Sequence, residues 1–176
     1  MFNFKTIALA AALAMLPGMA AWAGEQYVDG SGFAVSGYDV VAYFDAEQRP
    51  IGSPQPVATP GMASITAEHN GAIFAFASEA NRHRFLADPD RYVPQYDGHC
   101  AYGAALGGKV PANPHLWRIV DGKLYLNVKD TVVGFWEQDI PKNIDLAETN
   151  WTELESKPAS HDPVPEFDAT TAPVGN

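Results

Sequence analysis

Two dipeptides, Asn70-Gly71 and Asp121-Gly122, constrain the fold of this chain more than any other feature. Each interrupts a stretch rich in β-branched and aromatic residues: SITAEH and AIFAFA flank the first, WRIV and KLYLN the second. Asn-Gly and Asp-Gly accept the positive φ angles of a tight two-residue turn, whose twist matches that of paired strands. The pattern predicts β-hairpins over residues 64–77 and 117–127. A helix-like segment ending in aromatic residues follows each hairpin, at residues 78–87 and 129–138. In the first, Ser78 is placed to cap, its hydroxyl accepting from a first-turn N–H. Phe85 and Leu86 are expected to face inward, with Asn81 and Arg82 one turn earlier on the same side. Asp88-Pro89 ends that helix, because the residue before proline is pushed away from helical angles.

Gly71-x-Ile73-Phe74 and Phe85 match Gly122-x-Leu124-Tyr125 and Trp136 in spacing. That spacing suits a repeated ββα unit, and equally two hairpins that merely share the same local grammar. A further helix is expected over residues 139–154, with Trp151 packing back on the domain. The expected fold is α+β: a small single domain with two β-hairpins, each followed by a helix, plus a C-terminal helix. The apolar run at residues 37–44, GYDVVAYF, is ambiguous in period. Either Asp39 caps a short helix or VVAYF is a buried strand.

The flanks read differently from this core. Lys5 precedes an uncharged run at residues 6–20, and Ala21-Trp22-Ala23 puts small residues at the two positions a leader peptidase reads. Residues 1–23 are therefore expected to be a signal peptide, cut before Gly24. The run is broken by Pro17-Gly18 and falls short of the ~20 apolar residues that span a bilayer. Residues 24–156 form the expected domain, in a periplasmic or secreted protein with no membrane span after cleavage. Residues 157–176 carry four prolines and one aromatic. They are expected to form a disordered acidic tail, with His161 solvated, since such a composition does not offset the entropy of ordering. Residues 49–60 are expected to be a surface loop. The formal charge is −10, and the 11 Lys and Arg residues are scattered. Nucleic acid is not an expected partner, because phosphate binding needs a concentrated positive patch.

Chemistry concentrates in residues 92–114, an irregular stretch holding Tyr92, Tyr96 and Tyr102. At its centre stands Asp97-Gly98-His99-Cys100, and Cys100 is the only cysteine. Thiolate, imidazole and carboxylate are the donors that transition metals take. His99 and Cys100 can share an ion only in a turn, because neighbours on a strand face opposite ways. His115 is a candidate to line the same cleft. The candidate metal residues are Cys100, His99, Asp97 and His115, with copper or zinc as the ion. Once the leader is removed Met62 alone remains of the four methionines, which excludes a thioether-rich copper site.

Two alternatives stay open for the thiol. It is a small buried hydrophobe in a structural or interaction module whose aromatic loop docks a protein partner, or a nucleophile activated by a histidine. Neither Cys-x-x-Cys, nor a Gly-rich phosphate loop, nor Gly-x-Ser-x-Gly is present. Redox exchange within the chain, covalent haem and nucleotide binding are disfavoured accordingly.

GYDVVAYF at 37–44, HNGAIFAFASEANRHRFLADPDRYVPQY at 69–96, GHCAYG at 98–103 and WRIVDGKLYLN at 117–127 together resemble the secreted bacterial branch of the YHS domain family. FWEQDIPKNI and Trp151 fit the same branch. The resemblance implies a small α+β module that binds metal and occurs beside proteins handling copper and heavy metals. The family's Cys-Ser-x-x-Cys stretch reads Ala77-Ser78-Glu79-Ala80-Asn81 in this chain, and Cys100 is similar to the cysteine of the branch's QYxGxCAYG motif. The resulting expectation is an exported module, not an enzyme, that binds or handles a transition metal through the Cys100 loop.

Overall fold

Asn70 and Gly71 take φ of 48° and 75°, and Asp121 and Gly122 take 50° and 75°. These turns pair β1 (Met62–His69) with β2 (Ala72–Phe76), and β3 (Asn113–Val120) with β4 (Lys123–Asn127), as two separate antiparallel sheets. The computed structural model describes residues 24–175 of the 176-residue chain; the expected leader, residues 1–23, lies outside the described residues. Helices α1 (Glu79–Ala87) and α2 (Pro89–Tyr92) follow the first hairpin, and α3 (Ala101–Ala105) precedes the second. Helices α4 (Asp130–Glu137) and α5 (Ile140–Leu154) complete the α+β domain.

One constant offset carries the first unit onto the second. It takes Asn70 to Asp121, the Ser78 cap to Lys129, and the buried Phe85 to the buried Trp136. It also takes Asp88 (φ −157°, ψ 73°), before α2, to Asp139 (φ −155°, ψ 77°), before α5. Both hairpins slip register at the same place, between Met62 and Thr66 and between Asn113 and Trp117. A chance likeness of turn dipeptides would not reproduce a matching irregularity several residues away from the turn.

The repetition extends to the loop ahead of each hairpin. Val35, Ser36 and Gly37 have φ of 51°, 51° and 78°, and the extended Tyr38 follows (φ −84°, ψ 147°). Tyr96, Asp97 and Gly98 have 57°, 52° and 76°, and the extended His99 follows (φ −84°, ψ 165°). Tyr38-Asp39 therefore stands where His99-Cys100 stands in the second unit. The ambiguous run at 37–44 is not a strand: after Asp39 it makes a single 3-10 turn, Ala42–Phe44.

Side chains from both units share the main core, where Phe74, Phe76, Phe85, Trp117, Leu124 and Leu126 meet Val40, Val41 and Cys100. A second cluster lies under α5, around Tyr96, Tyr125, Trp136 and Ala147. Fully burying an aromatic or aliphatic side chain of this size stabilises by about 1.5–3 kcal/mol. Leu86, expected inward, is exposed instead, because consecutive helical residues point about 100° apart and Phe85 takes the buried direction. Among the described residues no helix is long and apolar enough to cross a membrane.

The segment expected to be a disordered tail is laid along the domain. Ala159, Val164 and Ala172 are buried, and Phe167 packs 6.2 Å from the Tyr38 ring and 5.7 Å from that of His115. Val174 N–H donates to Gly61 O at 2.8 Å, and Ala63 N–H donates to Val174 O at 3.0 Å, so the segment ends as a parallel partner of β1. Composition counts apolar residues without regard to where they land. Here each one meets a preformed surface, and the backbone groups find partners on an open strand edge. His161 is exposed, as expected.

Candidate functional site

The three left-handed residues before His99 turn the chain so that Cys100 bridges in parallel to Leu126 of β4 and caps α3. Gly103 N–H donates to Cys100 Sγ at 3.3 Å. The thiol in turn donates to Asn127 Oδ1 at 3.5 Å, which also takes Tyr102 N–H at 3.2 Å. The thiol is fully buried. Burial pushes its pKa above the ordinary value, against the opposing pull of the Gly103, Val128 and Tyr102 backbone N–H groups. The reactive and metal-binding species is the thiolate, and this environment favours the neutral thiol.

His99 is equally enclosed. Ser160 N–H donates to Nε2 at 3.1 Å, which fixes Nε2 as an acceptor, so Nδ1 carries the proton and donates to Tyr96 O at 2.9 Å. Tyr27 and Trp151 flank the ring at 5.7 and 6.1 Å. Desolvation lowers its pKa to about 4, which leaves a neutral imidazole with both nitrogens engaged. Asp97 points away from this pair: Gln26 Nε2 donates to its Oδ1 at 2.9 Å, while Oδ2 is buried without a partner among the described residues. Burial raises its pKa to about 6, opposed by Lys109.

His115 belongs to a different neighbourhood. Ala58 N–H donates to its Nδ1 at 3.2 Å, and its Nε2 faces Tyr38 Oη at 3.3 Å. Tyr38 Oη also bonds Thr171 Oγ1 at 2.5 Å, and desolvation lowers the pKa of His115. The four candidate metal residues therefore do not fit a copper or zinc ligand set as they stand. Cys100 is a protonated cap, His99 and His115 have no free nitrogen, and Asp97 turns toward the N-terminal segment. Among the described residues no group of three or more His, Cys, Asp or Glu side chains is placed to hold a metal ion.

Asp39, read from sequence only as a possible helix cap, proves to be the counterpart of Cys100. Val41 and Ala42 N–H donate to its Oδ1 at 2.9 and 3.3 Å, capping the 3-10 turn as Cys100 caps α3. Ala77 N–H and Asn81 Nδ2 donate to its Oδ2 at 2.8 and 2.7 Å, clasping the loop to the start of α1. The constant offset takes Ala77 to Val128, whose N–H faces Cys100. An amide N–H and a carboxamide thus hold a buried carboxylate here. The spacing Asp39…Ala77…Asn81 carries no local signal, because the clasp forms only after the hairpin closes.

A cleft of about 530 Å³ lies between residues 52–57, the start of β3 and α4, with His115 and Trp117 among its lining. Leu116, Val57 and Val133 give it apolar walls, and Asp130 stands at its rim. The buried Arg118–Glu137 ion pair braces this side, since Glu137 Oε2 also accepts Gly52 N–H at 2.7 Å. Trp117 Nε1 donates to Pro56 O at 2.8 Å and fixes the loop over β3. The loop tyrosines expected to dock a partner point inward instead: Tyr92 and Tyr96 are buried, and the half-buried Tyr102 stacks on Phe135 at 6.2 Å.

No protein-family model, curated protein or solved structure matches this chain.

Proposed function

We propose that the protein is an exported, non-catalytic binding module in which the Cys100 loop is scaffold and the cleft beside α4 receives a partner. The observation that carries this is the buried Cys100 thiol, which accepts Gly103 N–H, donates to Asn127 Oδ1 and is paired by position with Asp39. A nucleophile needs access and a base, whereas this sulfur is enclosed and its neighbour His99 has spent both nitrogens on backbone groups. Copper or zinc handling, which the YHS resemblance implies, would require the His99 imidazole to leave Ser160 and the thiol to ionise in a desolvated site. The leader pattern at residues 1–23 supports export, and the α+β repeat suits the resemblance.

The cleft favours a partner of definite chemistry. Its apolar walls take an aliphatic or aromatic side chain, while Asp130 at the rim and the chain's charge of −10 favour a basic group beside it. A protein segment with an apolar anchor next to Lys or Arg fits that description.

Two measurements test the proposal. Adding zinc or copper to the purified protein is expected to leave the melting temperature unchanged in both wild type and Cys100→Ser. Stoichiometric metal retained by wild type and lost in Cys100→Ser would overturn it. For the cleft, peptides pairing an aromatic residue with arginine are expected to bind wild type and to lose at least tenfold in affinity with Val133→Arg. Equal binding by the variant would remove the cleft from the account.

A further inference from the structure

We propose that Gly24 is the N-terminus of the processed chain and that its new α-ammonium docks on the Asp97 carboxylate, pinning the N-terminal segment to the loop and the C-terminal segment. The inference rests on leader removal and is independent of what the cleft binds.

The site is built for a backbone end with no side chain. A Cβ added to Gly24 would overlap Asp97 Oδ2 and sit 2.8 Å from Glu155 O, so a larger residue would require the Asp97 side chain and the backbone at Glu155 to shift. Bond lengths then put the Gly24 α-nitrogen within roughly 5 Å of that carboxylate oxygen. The approach is held from both sides. Tyr27 N–H donates to Asp97 O at 2.8 Å, Gln26 Nε2 donates to Asp97 Oδ1 at 2.9 Å, and Ala159 N–H donates to Glu25 Oε2 at 3.0 Å.

What the site lacks is a donor. Asp97 Oδ2 is buried without a hydrogen-bond partner among the described residues. Lys109, the neighbouring cation, is committed elsewhere: its Nζ donates to Glu155 O at 3.2 Å and to Lys157 O at 2.8 Å, and lies 5.1 Å from the Trp151 ring centre. The charged groups around Gly24 are thus Asp97, Glu25 and Glu155 against Lys109 and Lys157, which still leaves an excess of negative charge. While the leader is attached, the nitrogen of Gly24 is a neutral amide. A leader peptidase adds water across the Ala23–Gly24 bond, leaving a carboxylate on Ala23 and an ammonium on Gly24. Burial raises the pKa of Asp97 more than Lys109 and Gln26 lower it, so a further cation at Oδ2 would be favoured.

The test uses three forms of the protein: the mature chain starting at Gly24 with a free amine, the same chain acetylated at that amine, and a chain extended by Ala23. Each is made as wild type and as Asp97→Asn. The free amine in wild type is expected to titrate about one unit above the ordinary 7.7–8.0 of an α-amino group. Acetylation or extension is expected to lower the wild-type melting temperature by several degrees and to have little effect in Asp97→Asn. An ordinary amine pKa, or an equal effect of acetylation in both backgrounds, would overturn the docking. If Asp97→Asn does not fold, the amine titration in wild type decides. N-terminal sequencing of the exported protein tests the cleavage separately: a terminus other than Gly24 refutes the processing step, whereas docking is judged on chains prepared to start there.

Discussion

Asp39 and Cys100 show how one structural task is met by two chemistries. Each follows three left-handed residues, each caps the turn behind it, and each is fully buried. Their energetic weights should differ. Asp39 accepts four hydrogen bonds, so Asp39→Ala strands the N–H groups of Val41 and Ala77 and the Asn81 amide. Urea unfolding is expected to show a loss of about 3–5 kcal/mol. Cys100→Ala strands only Gly103 N–H and weakens the hold on Asn127, for an expected loss of about 1–3 kcal/mol. A larger loss at Cys100 than at Asp39 would contradict the assignment of the clasp. His99 adds a pH signature. Its folded pKa lies near 4, below the usual value of about 6.5, so between those values the unfolded chain binds the proton and the folded one does not. The stability tied to neutral His99 is complete above pH 6.5 and falls as pH drops toward 4, by on the order of 3 kcal/mol. Asp97, with a folded pKa near 6, works in the opposite sense between about pH 4 and 6 while its counter-ion is absent. On lowering the pH from 7 to 4 the acetylated chain should therefore lose less stability than the free-amine chain, and His99→Gln should lose its own part of the slope.

Secondary elements differ in how plainly the sequence announces them. Both hairpins and the helices α1, α4 and α5 follow from turn dipeptides, caps and periodicity, because each of those signals acts within a few residues. The left-handed triplets are less plain: Asp97-Gly98 and Gly37 tolerate positive φ, but Val35, Ser36 and Tyr96 are not residues that favour it, and tertiary contacts hold them there. The C-terminal segment gives no local signal of its order for the same reason, since that order comes from Gly61 and Tyr38 and not from its own composition. The two loop glycines give an internal comparison. Gly37 and Gly98 share φ near 77°, but a Cβ on Gly37 would overlap the Pro173 ring, whereas one on Gly98 would sit 3.6 Å from Pro94. Gly98→Ala is expected to cost about 1 kcal/mol of backbone strain. Gly37→Ala is expected to cost more, and to expose the C-terminal segment to limited proteolysis. Equal stability and equal protease resistance in the two variants would argue against the docked segment.

For the whole molecule, a duplicated loop–hairpin–helix unit explains why the only cysteine lies where it does. It fills, in the second unit, the position that a buried carboxylate fills in the first. The candidate site was legible from sequence as a place, the loop around residues 95–100, but not as a chemistry. Donor atoms counted along the chain look available until the fold assigns each one a backbone partner. With a charge of −10 spread over a small domain, self-repulsion also opposes folding, so raising salt from 0.01 to 0.15 M is expected to raise the melting temperature by a few degrees. The most direct test of the central claim is the rate at which a thiol reagent labels Cys100 in the native protein at neutral pH. Labelling is expected only as fast as the protein unfolds, with a rate that rises with urea and rises further in Asp39→Ala. Rapid labelling of the native state, or protection from labelling on adding zinc or copper, would contradict a thiol sealed in a structural clasp.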